Sequence, residues 1–205
     1  MNPRGDTKNR ILDTAEKLFG LNGFEATSLR DITTEADANL ASVNYHFQSK
    51  DSLIDAVIAR RIEPVNLKRI EMLEAAGPQP TLEQILRAFL APVMEMQMAA
   101  VVPLVGRILS NPDLFVDRVF HKHLAPVSQR FVEELSRALP DLPRPDLLWR
   151  LHFTVGVMTH TMLWGRIIPK VTGGICDLSD RTALLDRAVK FVAAGFRSPA
   201  SNESN

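Results

Sequence analysis

Residues 27–50 read TSLRDITTEADANLASVNYHFQSK. Ser28 is a good N-cap for a short helix, and Asn39 is a good N-cap for a second one over residues 40–47. Only residues 37–39 separate the two helices. Two short helices joined by so tight a turn predict a helix-turn-helix.

The second short helix has one apolar side and one polar side. Leu40, Val43 and Phe47 are predicted to face inward. The other side carries small and polar residues, which suit a helix that enters the major groove of DNA. Ser42 and Asn44 can hydrogen-bond base edges there, and Tyr45, His46, Thr27 and Lys50 suit phosphate contacts. The predicted DNA-binding residues are Thr27, Ser28, Asn39, Ala41, Ser42, Asn44, Tyr45, His46 and Lys50.

A longer pattern surrounds this motif. It consists of Ile11-Leu12-Asp13-x-Ala15-x-x-Leu18-Phe19, Gly23-Phe24-x-x-Thr27-Ser28-Leu29-x-x-Ile32, Ala36, Val43-Asn44-Tyr45-His46-Phe47 and Lys50-x-x-Leu53. In these residues and spacings the sequence resembles the TetR/AcrR family of transcriptional regulators. The resemblance implies a fold of nine or ten helices, a homodimer, a palindromic double-stranded operator and, usually, repression that a ligand relieves.

Helical periodicity continues along the chain and predicts an all-α fold. We expect an N-terminal helix-turn-helix DNA-binding domain over residues 1–52 and a C-terminal helical ligand-binding and dimerisation bundle over residues 53–205. A fourth helix over 50–73 would link them. The other predicted helices cover residues 7–21, 81–100, 103–110, 113–139, 146–164 and 181–196. Thr81 and Asp146 are their expected N-caps, and Gly173-Gly174 is expected in a loop.

The charge of the chain counts against nucleic-acid binding. The 205 residues contain 24 Lys and Arg against 24 Asp and Glu, and residues 1–50 contain six basic and seven acidic residues. Domains that bind DNA are usually basic. The affinity for DNA is therefore expected to be modest, or to draw on Arg4, Lys8 and Arg10 in an N-terminal arm.

The C-terminal part is less specific. Apolar residues suggest a pocket for a small apolar or amphipathic effector, with ordinary core packing as the alternative for each residue. The predicted lining is Met94, Met98, Val105, Leu109, Phe120, Phe153, Val157, His160 and Trp164. Residues 39–47 resemble the branch of the family that includes fatty-acid-responsive regulators, so a fatty acid or acyl-CoA is the expected effector. The resemblance also implies that the last two long helices form the homodimer interface.

Several other classes of site are not predicted. Cys176 is the single cysteine, so no disulfide is expected, and it is interpreted as a loop residue rather than a redox sensor. His121-x-His123 lacks the helical spacing of metal ligands, and we expect neither a metal nor a cofactor. Arg107 is interpreted either as a partner for an acidic ligand group or as a solvated or salt-bridged residue. No membrane-spanning segment or signal peptide is expected, which favours the cytoplasm.

Two other functions stay open at this stage. One is a helical interaction module without DNA binding, and the other is an enzyme on a helical scaffold. The nucleophile-elbow, phosphate-loop, zinc-helix and dinucleotide motifs of common enzymes are absent from the sequence, so no catalytic residue is predicted.

Overall fold

The computed structural model describes residues 3–95 and 98–200, with the side chains of residues 6–95 and 102–200. All the regular structure in this described part is helical, which confirms the predicted all-α class. The first helix, α1 (Pro3–Asn22), begins four residues earlier than predicted. It ends where the sequence indicates, because Gly23 adopts a left-handed φ of 90° and its N–H donates to the carbonyl of Phe19 at 3.0 Å.

The helix-turn-helix follows at the predicted place. Helix α2 (Leu29–Glu35) has Ser28 as its N-cap, and α3 (Leu40–Phe47) has Asn39 as its N-cap. Val43 and Phe47 are buried as expected, but Leu40 is 45% exposed, so its predicted inward position is wrong. Leu40 is the first residue of α3, next to the turn, and the helix packs through the two later positions.

The helices after the motif depart from prediction at their ends. Helix α4 (Lys50–Ala75) contains Pro64, and α5 (Leu82–Met94) begins at its predicted cap, Thr81. The predicted helix over 81–100 is wrong, since α5 ends at Met94 and α6 (Met98–Leu109) is a separate helix with Pro103 inside it. Glu95, the C-cap of α5, is a good helix former, so propensity does not predict the end of this helix.

The predicted helix over 113–139 consists of three consecutive segments. Helix α7 (Pro112–Leu114) is capped by Asn111 and leads into a wide π-helical segment (Phe115–Leu124), which continues into α8 (Ala125–Ala138). Pro126 has no N–H to donate to the carbonyl four residues earlier. The π-helical turns before Pro126 are compatible with this missing hydrogen bond, because their hydrogen bonds join residues five positions apart instead of four.

The last helices are α9 (Arg144–Trp164), the short α10 (Ile168–Val171) and α11 (Arg181–Arg197). The prediction of Asp146 as the cap of α9 is wrong, because Pro143 holds the N-cap position and Asp146 lies in the first turn. Helix α10 was not predicted. The expected loop follows it, with positive φ angles of 60° and 83° at Gly173 and Gly174.

The chain forms two compact units. One contains residues 1–64 and 97–123, and the other contains residues 65–96 and 124–205. In the first unit, α1 packs against α2, α3 and α6 around buried residues such as Ile11, Phe19 and Val43. In the second unit, α5, α8, α9 and α11 bury one apolar cluster that includes Phe89 and Phe131. The domain boundary predicted at residue 52 stays a prediction.

Candidate nucleic-acid interface

The outer side of α3 is the most prominent polar surface of the helix-turn-helix. Val43 is fully buried and Phe47 is 5% exposed, whereas Asn44 is exposed and Tyr45 is 72% exposed. Ala41 is also exposed, and Ser42 and His46 are half-buried. The helix thus turns the side chains that the sequence assigns to DNA outward, while its apolar residues anchor it to the unit.

Asn39 fixes the start of this helix. Its Oδ1 accepts a hydrogen bond from the backbone N–H of Ser42 at 2.8 Å and another from the Ser42 hydroxyl at 2.9 Å. The hydroxyl proton of Ser42 is therefore directed toward the cap. Its oxygen lone pairs and the Asn39 amide N–H groups can still bind other partners.

Thr27 and Ser28 have different surroundings although they are neighbours. Thr27 is 1% exposed, and its hydroxyl donates to the carbonyl of Gly23 at 2.8 Å. The hydroxyl therefore holds the turn after α1 and is not presented to a ligand. Ser28 is exposed, and its hydroxyl accepts from the backbone N–H of Asp31 and donates to the Asp31 carboxylate at 2.7 Å. These bonds from Ser28 lower the pKa of Asp31 below its ordinary value.

Lys50 stands at the first position of α4, directly after the helix-turn-helix. Its Nζ lies 3.4 Å from the carbonyl oxygen of Glu25, a long and exposed hydrogen bond that a stronger acceptor can replace. The side chain is half-buried. Its charged end is therefore held near the turn before α2 while staying available for a phosphate.

The beginning of α4 is clamped by residues that sequence analysis missed. Arg118, in the π-helical segment, donates to the Asp51 carboxylate at 2.6 Å and to Asp55 at 3.2 Å, and Lys122 pairs with Asp55 at 2.8 Å. Burial raises the pKa of Asp55, but the bonds and charges of Lys122 and Arg118 outweigh it, so the net shift is downward. About 67 residues separate these partners, and no local pattern predicts such a pairing.

Arg107 serves the same unit in another way. Its Nη2 donates to the carbonyl of Leu21 at 2.8 Å, and its Nε lies 3.5 Å from the carbonyl of Gly20. These are among the last carbonyls of α1, which have no partner within the helix. Arg107 thus connects α6 to the end of α1, a role that neither of its two predicted interpretations includes.

The predicted effector-lining residues are distributed over both units. Val105, Leu109 and Phe120 belong to the unit that holds the helix-turn-helix, where Leu109 is 39% and Phe120 38% exposed. The side chain of Met98 lies outside the described residues. Five members belong to the other unit, in which only one is buried: Met94 (buried), Val157 (half-buried), and Phe153, His160 and Trp164 (exposed).

Exposed aromatic residues form a stripe along one side of α9. Trp149 and Phe153 stack at 5.7 Å, and His160 stacks on Trp164, also at 5.7 Å. Phe191 on α11 is 68% exposed. A groove of about 800 Å³ runs beside Trp149, Phe153 and Phe191, and Val157 also lines it. We call the exposed residues of this region the aromatic face; its members are Trp149, Phe153, Gly156, His160, Trp164, Phe191, Ala194 and Gly195.

Two family models match the chain. The model for "Bacterial regulatory proteins, tetR family" covers residues 11–57, and the model for "Tetracyclin repressor-like, C-terminal domain" covers residues 87–195, more than half of the chain. The chain belongs to the TetR family. The predicted family and its fold, a helix-turn-helix followed by a C-terminal helical domain, are therefore confirmed.

Individual relatives agree with this membership. The TetR chain is 25% identical over 134 residues to the HTH-type transcriptional regulator SrpR of Pseudomonas putida, covering 65% of this chain and 60% of SrpR. It is 36% identical over 58 residues to the nicotine-responsive transcriptional repressor HdnoR of Paenarthrobacter nicotinovorans, covering 28% of this chain and 30% of HdnoR. The chain thus spans less than two thirds of the length of these curated relatives.

The fold similarity extends further than the sequence similarity. The crystal structure of SCO4454, a TetR-family transcriptional regulator from Streptomyces coelicolor, matches this TetR chain with a TM-score of 0.57 and 19% identity, over 94% of this chain and 95% of that one. SrpR and HdnoR are transcriptional regulators of the helix-turn-helix type, and a helix-turn-helix docks on DNA through its second helix.

Several acidic residues in the first 50 positions take part in ion pairs. On α1, Asp13 pairs with Arg60 and Glu16 pairs with Arg61, at 2.6 and 2.8 Å. On α2, Glu35 pairs with Lys17 at 2.7 Å. Helix α3 itself contains no acidic residue. Three of the seven carboxylates in the first 50 residues are therefore paired on helices other than the outward-facing one.

Metal clusters and membrane-spanning helices are both absent from the part of the chain that the structure describes. No three His, Cys, Asp or Glu side chains are grouped there so that they could hold a metal ion. Likewise, none of the described helices is long and apolar enough to cross a membrane. Cys176 is exposed, and its backbone N–H donates to the Thr172 hydroxyl.

Proposed function

We propose that this TetR-family protein is a homodimeric regulator that reads a palindromic operator with α3 and releases it when an apolar or amphipathic effector binds. The observation that carries the proposal is the orientation of α3, in which Asn44 and Tyr45 are exposed while Val43 and Phe47 are buried. A helix presented in this way can enter the major groove with its base-reading side chains in front.

The individual DNA contacts follow from the surroundings of each residue. We assign base contacts to Asn44, Ser42 and Ala41, which lie on the outer side of α3. We assign phosphate contacts to Tyr45, His46, Ser28 and Lys50, with Asn39 as both cap and contact. We assign Thr27 to positioning the turn after α1 and not to a direct DNA contact, because its buried hydroxyl already donates to the carbonyl of Gly23.

Fluorescence anisotropy with a labelled duplex from the region upstream of the gene tests the proposal. Wild-type protein should bind it more tightly than a shuffled duplex of the same composition. Lys50→Ala in both subunits removes two phosphate contacts, so the slope of log K against log salt should decrease by about 2, at roughly 0.9 per contact. Lys68→Ala is the control, because Lys68 is an exposed cation on the same helix that pairs with Glu71.

Two results would count against the DNA-binding role. Equal affinity for both duplexes, together with loss of all binding at physiological salt, would favour a helical interaction module. A salt slope unchanged by Lys50→Ala but reduced by Lys68→Ala would place the phosphate contacts elsewhere. An enzyme remains an alternative only if a turnover screen finds activity, and no arrangement of described residues favours one.

The aromatic face is the proposed homodimer interface. It exposes large apolar side chains on α9 and α11, and monomeric proteins seldom leave such a patch in water. Gly156 and Gly195 have open space where a side chain would stand, so a second copy can approach the backbone closely there. We therefore assign Phe153, His160 and Trp164 to this interface rather than to an enclosed effector pocket.

Sedimentation equilibrium tests the dimer. The wild type should sediment at twice the 22.9 kDa chain mass, and Phe191→Glu should sediment as a monomer because a charge cannot be buried in an apolar interface. Leu67→Glu changes an equally exposed apolar residue on α4 and should remain a dimer. A dimeric Phe191→Glu protein, or a monomeric Leu67→Glu protein, would contradict this interface.

The effector is proposed to bind one of two states of the dimer more tightly than the other, because a ligand that binds both states equally cannot shift the equilibrium between them. In the unit of residues 65–96 and 124–205, its lining would draw on Met94 and Val157. A fatty acid or acyl-CoA is the proposed class, on the resemblance of residues 39–47 to fatty-acid-responsive regulators. Because its proposed operator is bacterial DNA, we infer that the protein acts in the cytoplasm.

A further inference from the structure

Arg69 on α4 has surroundings unlike those of the other arginines described. Its side chain lies inside the unit formed by residues 65–96 and 124–205 and is only 5% exposed. Nε donates to the carbonyl of Phe89 at 2.9 Å, and the guanidinium carbon lies 4.4 Å from the centre of the Phe89 ring. Nη1 reaches the side-chain oxygen of Asn66 at 3.4 Å.

The guanidinium has no acidic partner among the residues that the structure describes. Its third acceptor is the thioether sulfur of Met158, which lies 3.5 Å from Nη2 and is a weak acceptor. Burial alone lowers the pKa of Arg69 to about 10, so the group is still charged at neutral pH. All the groups that it contacts are neutral.

Such a charge is expensive for the folded protein. Buried arginines are normally paired with a carboxylate, because desolvation of an isolated cation is not repaid by neutral acceptors. Leu73, on the next turn of α4, and Phe131 belong to the apolar cluster around this region. An apolar side chain at position 69 would therefore pack at less cost, and the retained charge requires another explanation.

We infer that Arg69 binds the anionic group of the effector, and that the effector is a monocarboxylate with an otherwise apolar body. The inference rests on the proposed function, of which it specifies the ligand class. An arginine has five N–H groups, and three of them are engaged with Phe89, Asn66 and Met158. Two are left, and the flexible Met158 side chain can yield its place, so the Nη groups can hold a carboxylate through two bonds.

The charge balance selects a single negative charge. Arg69 is the one cation in this network of described residues, so a carboxylate neutralises it, whereas a doubly charged phosphate would leave one buried negative charge uncompensated. The half-buried hydrophobic residues next to the cluster, Met72, Val155, Val157 and Met158, suit an aliphatic or aromatic body.

Calorimetric titration of the dimer without DNA tests this assignment. The probes are octanoate, dodecanoate and 2-naphthoate, each paired with its own primary amide, which has the same body and no charge. Wild-type protein should bind at least one acid ten or more times more tightly than its amide. Arg69→Met should bind acid and amide equally. Arg87→Met is the control, because Arg87 pairs with Asp186 at the surface of the same unit, and it should keep the wild-type preference.

Thermal unfolding of the free protein separates recognition from a structural role. If Arg69 serves the ligand, Arg69→Met unfolds at the wild-type temperature or above, because an unpaired buried charge has been removed. If Arg69→Met does not fold, Arg69→Lys replaces it in the titration. It retains the charge but loses the two-bond geometry, and should reduce acid binding at least tenfold without changing amide binding.

Several outcomes would overturn the inference. They are equal binding of every acid and its amide by the wild type, an unchanged preference in the folded Arg69 variant, or no binding of any acid in the panel. Because no DNA is present, these failures leave the DNA-binding proposal untouched. A wild type that prefers the acids but ignores the upstream duplex would instead contradict the proposed function alone.

Discussion

Removal of the cap of α3 should cost stability and DNA affinity together. In Asn39→Ala, the backbone N–H of Ser42 loses the side-chain acceptor that it now contacts at 2.8 Å. Loss of an N-cap of this kind costs about 1 kcal/mol, within a range of roughly 0.5–2. The Ser42 hydroxyl loses the same acceptor, but it is half-exposed and water can replace the bond. Since Val43 and Phe47 still anchor the helix, we expect a folded protein that is less stable by about 1 kcal/mol.

Asn39→Asp is the matched variant for this experiment. A carboxylate keeps the acceptor and places a negative charge at the N-terminus of α3, which is favourable by about 0.3–1 kcal/mol. The same charge would face DNA phosphates. Urea denaturation should therefore show unchanged or increased stability for Asn39→Asp, while anisotropy shows weakened DNA binding. An Asn39→Ala protein as stable as the wild type, or an Asn39→Asp protein with undiminished DNA affinity, would refute this reasoning.

Three further variants test the packing and charges around the helix-turn-helix. Gly20→Ala should lower stability by about 1–3 kcal/mol in urea denaturation, because the new Cβ would stand 3.1 Å from Pro103 Cβ and 3.3 Å from Leu104 N. Gly106→Ala has open space at its Cβ and should instead gain up to about 1 kcal/mol. Equal effects of the two substitutions on stability would contradict the close contact at Gly20. Asp31→Asn should be less stable than the wild type at pH 7, because the pKa of Asp31 is lowered in the folded protein. The stability that the Asp31 carboxylate contributes is present above its unfolded pKa and disappears as pH falls through its folded pKa. A stability deficit of Asp31→Asn that persists in stronger acid would refute this prediction. Arg107→Ala removes the donor to the Leu21 carbonyl and should lower stability by about 0.5–1.5 kcal/mol, whereas an unchanged midpoint would show that water replaces this donor without cost.

The helix-turn-helix could be predicted closely because its signals are local. Ser28 and Asn39 accept hydrogen bonds from residues three positions ahead, and Gly23 ends α1 through its own φ angle. Such features depend on residues within one turn of each other. They determined the end of α1 and the starts of α2 and α3 from the sequence alone.

The parts that could not be predicted depend on distant partners. Helix α5 ends at Met94 although Glu95, which follows it, is a good helix former, so propensity does not set this end. Arg69 is an arginine on a long helix, and its burial becomes visible only when α5 and α9 are placed around it. The exposure of Phe153 shows the same limit, because an aromatic residue at helical spacing can face either a core or an interface.

Selection of bound genomic DNA with the wild type and with Asn44→Ala tests the central role of α3 most directly. The wild type should enrich a palindromic sequence. Asn44→Ala should still enrich it, but with the base preference lost at the same one or two positions of each half-site, because one reader has been removed from each subunit. Identical base preferences for the two proteins, or the absence of any enriched sequence with the wild type, would contradict the assignment of α3 as the element that reads DNA.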